Sequence, residues 1–137
     1  MAIQFAVGPG TILLCDYSLG GFRPPEMVKR RPAIVLSPRL PFRDGLCSVV
    51  PLSSAPPPRL VDYVVQLTLP KPLPAPFEEP VCWAKCDMVA TVSFERLDLF
   101  RTERDQFGKR KYIHPVLAAE DFERVRQAVL AGLGLKA

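Results

Sequence analysis

The alternation of hydrophobic and polar residues predicts a protein built mainly from short strands. Five apolar runs, separated by turn-forming residues, have the length and composition of strands; they are Thr11–Tyr17, Ala33–Leu36, Leu46–Leu52, Val61–Leu69 and Val81–Val92. Apolar and polar residues alternate in the fourth run, as in a strand with one solvent-exposed face. The fifth run is expected to bend near Lys85. Short strands joined by turns predict a small, strongly bent antiparallel sheet.

The end of the chain predicts one helix packed on this sheet. Ala119–Leu133 has apolar residues at helical spacing, acidic residues in its first turn and glycines at its end. Before it, Phe94–Phe100 would extend the sheet, Arg101–Lys111 would form an exposed hairpin or loop, and Tyr112–Ile113 would close the sheet. We therefore expect a mainly β (α+β) protein with a C-terminal helix, folded as a single domain over residues 1–137.

Two long connections separate the strands. Ser18–Arg30 is polar and contains glycine and proline, and loops of this length in a compact domain are usually functional lids or disordered segments. Lys71–Pro80 is the most proline-dense part of the chain, so we expect an extended surface connection whose backbone is preset by proline. A PxxP-type ligand for an aromatic groove is the alternative interpretation of this second segment.

Net charge and hydropathy narrow the range of partners. The 137 residues carry a formal net charge of +4, a basic bias that favours an anionic partner such as RNA or DNA, or an acidic protein. The N-terminus lacks the features of a signal peptide, and no apolar run approaches the length of a membrane span. We expect a cytoplasmic protein with no membrane association.

The cysteines and the single histidine predict no metal site and no cofactor. Cys15, Cys47, Cys82 and Cys86 lie in or beside hydrophobic runs, and no second pair with ligand spacing follows the last two. We expect buried, reduced thiols rather than a zinc site or disulfides, and poor nucleophiles, because burial raises the pKa of a thiol. His114 alone cannot form a two-histidine acid–base pair.

A basic cluster before the second strand is a candidate functional site. Lys29, Arg30 and Arg31 precede Pro32, which is tolerated at the first residue of a strand, so the charges lie where a loop enters a buried strand. Guanidinium groups on such a rigid mount suit phosphate binding. The alternative is a solvated loop that keeps an edge of the sheet soluble.

Two further residues complete a candidate catalytic set. If the second and third strands pair antiparallel, Arg31 lies beside Ser53, and Glu26 in the preceding loop could reach a phosphate between them. Cleavage of RNA by its own 2′-hydroxyl needs a base, a cation for the phosphorane charge and an acid for the leaving 5′-oxygen. These side chains meet that need without a metal, because the nucleophile belongs to the substrate.

Three sequence blocks resemble the PemK/MazF toxins of bacterial toxin–antitoxin pairs. They are PGTILLCDY, KRRPAIVLSP, and VVPLSS with the downstream CDMVATVSFERL. The resemblance spans nearly the whole chain and implies an SH3-like barrel homodimer that inhibits growth by cutting single-stranded RNA at short sequences. It also implies metal-independent cleavage to a 2′,3′-cyclic phosphate and a 5′-hydroxyl, and a cognate antitoxin whose acidic tail occludes the RNA groove.

The same resemblance implies roles for individual residues. Arg31 matches the arginine that serves as acid or phosphorane stabiliser, Ser53 matches a hydroxyl residue that is usually threonine, and Glu26 stands where some members have a candidate base. RNA contacts are expected from Lys29, Arg30, Ser54, Arg23 and Thr91. Further contacts with the RNA backbone are expected from the cationic residues Arg101, Arg104, Lys109, Arg110 and Lys111. The Lys71–Pro80 segment departs from the family pattern, and so does CDMVATV, which lacks the usual glutamine after its aspartate.

Two other functions remain open from the sequence. A non-catalytic module of the same small-barrel type would bind RNA or protein without cutting it. A toxin relative that acts on DNA gyrase shares that barrel, so the fold alone does not separate these functions. Salt-sensitive RNA binding without any product would favour the binding module.

Overall fold

The computed structural model describes residues 2–135, without the side chain of Glu103. Within that range the chain forms nine strands and one α-helix, with a short 3₁₀ helix at Phe94–Arg96. The elements are β1 (Ile12–Asp16), β2 (Arg30–Val35), β3 (Leu46–Ser53), β4 (Val64–Thr68), β5 (Val81–Lys85), β6 (Ala90–Ser93), β7 (Leu97–Asp98), β8 (Phe100–Arg104), β9 (Arg110–Ile113) and α1 (Ala119–Gly132). No helix in the described range is long and apolar enough to cross a membrane.

Most of the predicted elements are confirmed to within three residues. β1, β3, β4 and α1 occupy the runs that the sequence assigned to them, and β8 and β9 form the expected hairpin. The fifth predicted strand bends so sharply that it forms two strands, β5 and β6. Residues 86–89 separate them in a turn, where Met88 N donates to Lys85 O (3.0 Å).

β2 begins earlier than the sequence indicated. Arg30 and Arg31 are strand residues, paired with Asp16 and Cys15 of β1, and not part of a turn. Pro32 is therefore the third residue of its strand and not the first. The prediction was wrong at this point because the pairing with β1, which no local pattern reveals, extends the strand beyond the proline.

The large sheet is antiparallel throughout. Its strands follow the order β4-β5-β3-β2-β1-β7, with β6 also paired to β3, which confirms the mainly β class with a C-terminal helix. Within residues 2–135 the sheet is not closed into a barrel, since β4 and β7 are its two ends. The expectation that Tyr112–Ile113 closes it is wrong, because β9 turns back to pair with β8 in a separate two-stranded sheet.

β3 bends the sheet because its neighbours change along its length. Its first half pairs with β6, where Cys47 lies opposite Val92, and its last two residues pair with β5. On its other edge, the bonded ladder with β2 ends at Ala33 and Pro51. The end of β3 is therefore held by β5 while it separates from β2.

Both faces of the central strands are buried, which explains their continuous apolar runs. On one face, alternate residues such as Ile12 and Val50 pack with Val125 of α1. On the other face, residues such as Leu13 and Val49 pack beneath the N-terminal segment and the β1–β2 loop. The sheet thus forms a stiff support for groups at its strand ends.

The proline-rich segment is a closed loop between β4 and β5. Its base is joined where Leu69 N donates to Pro80 O (2.8 Å), and residues 69–80 contain no strand or helix, as predicted. Leu73 is only 4% exposed, and Phe77 packs against the main core. This packing favours a surface connection over a free PxxP ligand.

Candidate functional site

A pocket of about 340 Å³ opens where β2 and β3 separate. The bonded ladder between these strands ends at Ala33 and Pro51, and neither Pro51 nor Pro32 has an N–H group that could extend it. Continued by two residues, the same antiparallel register sets Arg31 opposite Ser53. Both residues line the pocket, so the structure brings together the two residues that the sequence paired.

Arg31 is held at this pocket by contacts with neighbouring backbone. It lies opposite Cys15 of β1, and its Nε donates a hydrogen bond to Val28 O (3.2 Å). The half-buried side chain is thereby fixed in orientation. Through its Nη groups, a guanidinium held in this way can bind two oxygens of one phosphate.

Ser53 offers a hydroxyl group in a fixed position. It is the last residue of β3, lies opposite Trp83 of β5, and is only 8% exposed. Its Oγ accepts a hydrogen bond from Ala55 N (3.1 Å), which leaves the hydroxyl proton to be donated to a ligand. Ser54 lines the same pocket and is exposed.

Lys29 and Arg30 also line the pocket, and backbone contacts with β1 and the residue after it hold both in place. Lys29 has φ +74°, a left-handed conformation that is uncommon for residues other than glycine, and its carbonyl accepts a hydrogen bond from Tyr17 N (2.8 Å). Arg30 lies opposite Asp16. The pKa of Asp16 is lowered, mainly by a hydrogen bond from Ser18 and also by the charge of Arg30.

One carboxylate in this pocket was not predicted from the sequence. Glu79, near the end of the proline-rich loop, lines the pocket together with Leu73, Pro76 and Phe77. This loop therefore forms one wall of the site. The signal in the sequence was the pair of large apolar residues among the prolines, which anchor the loop to the core.

Three other predicted residues lie outside this pocket. Glu26 and Arg23 are exposed in the β1–β2 loop, where Glu26 Oε2 accepts a hydrogen bond from Arg23 N (3.3 Å), and neither lines the pocket. Thr91 is on β6, with its Oγ1 2.7 Å from Ser48 Oγ. Both of these hydroxyl residues line a separate pocket of about 500 Å³ beside the N-terminal segment.

The thiol at the pocket is neutral. Cys82 is a lining residue, and burial raises its pKa to about 11, so it is protonated at neutral pH and unsuited to nucleophilic attack. All four cysteines are buried and free, as the sequence predicted. Burial also raises the pKa of Tyr17. Among residues 2–135, no three histidine, cysteine, aspartate or glutamate side chains are grouped so that they could hold a metal ion.

Comparison with known families identifies the chain's relatives. The model of the PemK-like, MazF-like toxins of type II toxin–antitoxin systems matches residues 9–133. The chain belongs to this PemK/MazF family. The match confirms the resemblance carried by the three sequence blocks, and it includes Arg31, Ser53 and Glu79.

A relative from Escherichia coli and several solved structures match almost all of this PemK/MazF-family chain. The uncharacterized protein YifN of Escherichia coli (strain K12) is 27% identical over an alignment of 150 positions, which covers 97% of this chain and 95% of YifN. A mycobacterial endoribonuclease solved in complex with its cognate antitoxin has a TM-score of 0.63 at 15% identity, with 96% of this chain and 99% of that chain covered.

Two MazF structures give the same result. The Mycobacterium tuberculosis toxin MazF-mt6 has a TM-score of 0.57 at 16% identity, with 93% of this chain and 99% of that chain covered. MazF from Deinococcus radiodurans has a TM-score of 0.57 at 17% identity, with 95% and 98% covered. At these identities the solved structures establish the fold of the PemK/MazF-family chain, and its chemistry has to be argued from its own residues.

Proposed function

We propose that this chain is the toxin of a type II toxin–antitoxin pair and acts as a sequence-specific, metal-independent endoribonuclease on single-stranded RNA. The observation that carries the proposal is that Arg31, Ser53 and a carboxylate line one pocket on the fold of this toxin family. Cleavage would begin with attack of the substrate's 2′-hydroxyl on the adjacent phosphorus, and would give a 2′,3′-cyclic phosphate and a 5′-hydroxyl. The protein then has to supply only charge and proton transfer.

We propose that Arg31 and Ser53 bind the phosphate at the cleaved bond. A phosphodiester between them would meet a fixed guanidinium and a hydroxyl donor, and Lys29 and Arg30 add positive charge at the same pocket. Because negative charge grows on the phosphate oxygens as the phosphorane forms, preorganised donors stabilise the transition state more than the ground state. Loss of one such donor costs roughly 10²–10³ in rate. Arg31 is also our candidate for the acid that protonates the leaving 5′-oxygen.

Two carboxylates are candidates for the general base. Glu79 lines the pocket, whereas Glu26 is bound to Arg23 N and would have to leave that bond to reach the phosphate. We propose that Glu79 is the base that removes the proton of the 2′-hydroxyl, and that Glu26 is the second candidate. A base in the pocket wall is in place once the wall has folded, without a further loop movement.

The partners are proposed from the family and from the charge of the pocket. The family consists of toxins of toxin–antitoxin systems, and the mycobacterial endoribonuclease was solved with its cognate antitoxin. We propose a cognate antitoxin with an acidic tail, because three consecutive cationic residues line the pocket that such a tail would cover. A homodimer, a cytoplasmic location and growth inhibition through RNA cleavage complete the proposal.

The direct test is a gel of mixed-sequence single-stranded RNA incubated in EDTA with three proteins. These are the wild type, Arg31→Ala, and Arg126→Ala as a control that removes an exposed arginine from α1. We expect discrete bands from the wild type and the control, and a loss of roughly 10²-fold or more in Arg31→Ala.

Two outcomes would contradict the proposal in different ways. Undiminished cutting by Arg31→Ala would remove this arginine from the mechanism. A folded wild type that binds RNA in a salt-sensitive manner and yields no product would indicate a non-catalytic binding module instead.

A further inference from the structure

Three neighbouring pockets beside the proline-rich loop share lining residues. The candidate pocket shares Arg30 and Phe77 with a second pocket of about 570 Å³. The second pocket shares Arg101 and Arg110 with a third pocket of about 1180 Å³. We name this surface the basic groove; it runs from the candidate pocket, past Pro74–Phe77, to the β8–β9 hairpin.

Positive charge lines the basic groove along its length. Its cationic residues include Arg30, Arg31, Lys71, Arg101, Arg104 and Arg110. Carboxylates line it at Glu79 in the first pocket and at Asp98 in the second, where Asp98 Oδ2 lies 3.3 Å from Arg101 Nη2. Cations therefore outnumber carboxylates among the described residues of the groove, which suits a polyanionic ligand.

Arg104 and Arg110 lie directly opposite each other across β8 and β9, at the far end of the groove. Residues opposite each other in an antiparallel pair share one face of the sheet, so these two arginines are neighbours of like charge. A like-charge pair of this kind is unfavourable alone and becomes favourable when an anion bridges it. The pair therefore has the character of a phosphate site.

The hairpin that carries this pair is held in shape by its own turn. Asp105 Oδ1 accepts hydrogen bonds from Phe107 N (2.9 Å) and Lys109 N (3.0 Å), and Arg104 Nη1 donates to Gly108 O (3.1 Å). A ligand that binds here does not have to order the turn. The turn that positions Arg104 is therefore formed before the ligand binds, which lowers the ordering cost of binding.

We propose that the basic groove binds the phosphodiester backbone of the RNA on one side of the cleaved bond. The proposal rests on the proposed endoribonuclease function and adds an extended binding track to it. The candidate pocket lies at one end of the basic groove and the facing arginines Arg104 and Arg110 lie at the other end. The proline-rich loop forms the wall between them. Single-stranded RNA gains much of its affinity from such phosphate contacts.

The test compares two double variants of the same hairpin. Arg104→Gln/Arg110→Gln removes the facing pair, and Lys109→Gln/Lys111→Gln removes the same charge from residues outside the lining of the second and third pockets. Affinity for a mixed-sequence 2′-O-methyl RNA is measured in EDTA over a range of salt concentrations. This RNA cannot be cut, because its 2′ nucleophile is blocked, so binding is measured apart from cleavage.

We expect weaker RNA binding by the arginine variant, with the slope of log K against log salt reduced by about 0.7, because the facing pair would neutralise one bridged phosphate. The lysine variant should bind like the wild type. Equal losses in both variants, or no loss in either, would overturn the proposal. So would unchanged RNA binding with lost affinity for poly-L-glutamate, which would assign the arginines to an acidic protein.

The proposed function has a separate readout. It fails if the wild type cuts no unmodified RNA, whatever the two hairpin variants do. Thermal unfolding of both variants, which carry changes only on an exposed hairpin, checks that each remains folded.

Discussion

Phe77 packs edge-on against Phe100, with ring centroids 6.2 Å apart and ring planes at 74°. Aromatic pairs of this geometry contribute about 0.5–1.5 kcal/mol beyond the burial of their surface. The contact joins the proline-rich loop to the first residue of β8. The wall of the candidate pocket and the hairpin at the far end of the basic groove are thus packed on each other.

Phe77→Ala should therefore loosen the pocket wall. We expect the free energy of unfolding to fall by roughly 1–3 kcal/mol, less than for a fully buried phenylalanine because this ring is only half-buried. RNA cleavage should fall as well, at a temperature where the variant is still folded. Urea unfolding and a cleavage gel measure the two effects. Phe107→Ala, at the exposed tip of the hairpin, is the matched control; an equal loss there would mean that the aromatic contact does not hold the wall.

The two candidate bases are distinguished by isosteric substitutions. Glu79→Gln should lower kcat by about 10²–10⁴ with little change in KM. Glu26→Gln should cut nearly as fast as the wild type, because Glu26 does not line the pocket. Cleavage rates over a range of RNA concentrations provide the measurement. The reverse pattern would assign the base to Glu26.

The role of the Ser53 hydroxyl can be tested with one variant that removes the hydroxyl and another that retains it. Ser53→Ala should lower the cleavage rate by about 10²–10³, because a donor to the phosphate is lost, whereas Ser53→Thr should keep most of the rate. Ser54→Ala, at the exposed neighbouring position, should cost less. Single-turnover rates at saturating RNA separate this effect from binding. A fully active Ser53→Ala variant would show that this hydroxyl does not act in the reaction.

The buried thiols predict a loss of stability in alkali. Burial raises the pKa of Cys15 and Cys82 to about 11, and that of Cys86 to about 12, from an ordinary value of 9.0. Between the ordinary and the raised values, the unfolded chain loses protons that the folded chain retains. The free energy of unfolding should therefore fall as pH rises above about 9, by about 1.4 kcal/mol per pH unit for each such thiol.

Urea unfolding between about pH 8 and pH 11 measures this decline. Cys86→Ala should flatten it by removing one of the thiols with a raised pKa. A stability that stays constant through this range would contradict the assigned burial. Cys82→Ala should also retain RNA cleavage, since the thiol at the pocket is protonated at neutral pH.

The part of the site that the sequence predicted depends on neighbouring strands. Arg31 and Ser53 lie at the start and the end of consecutive strands, so antiparallel pairing alone was enough to place them together. Glu79 could not be placed in this way. Its position depends on how Leu73 and Phe77 pack the proline-rich loop onto the core, and no periodicity encodes that packing.

The same distinction explains the differences in the sheet. The apolar runs of β1 and β3 are buried on both faces, so their bounds were close to the predicted ones. The start of β2 depends on pairing with β1, and the open sheet depends on β9 pairing with its hairpin partner. Both features depend on which strand pairs with which, and the pattern of a single sequence does not determine that pairing.

The hydrogen bond from Leu69 N to Pro80 O closes the proline-rich loop at its base. Residues 70–79 therefore form a self-contained segment between two strands, which we call the cassette. The pairing of β4 with β5 lies outside the cassette, and doubling the length of a flexible loop costs only about 0.6 kcal/mol. The cassette carries a wall of the pocket and Glu79, whereas Arg31 and Ser53 belong to the sheet. Exchange of this one short segment, with its core contacts at Leu73 and Phe77 kept, would therefore change the groups at the pocket while the strands that carry Arg31 and Ser53 stay the same.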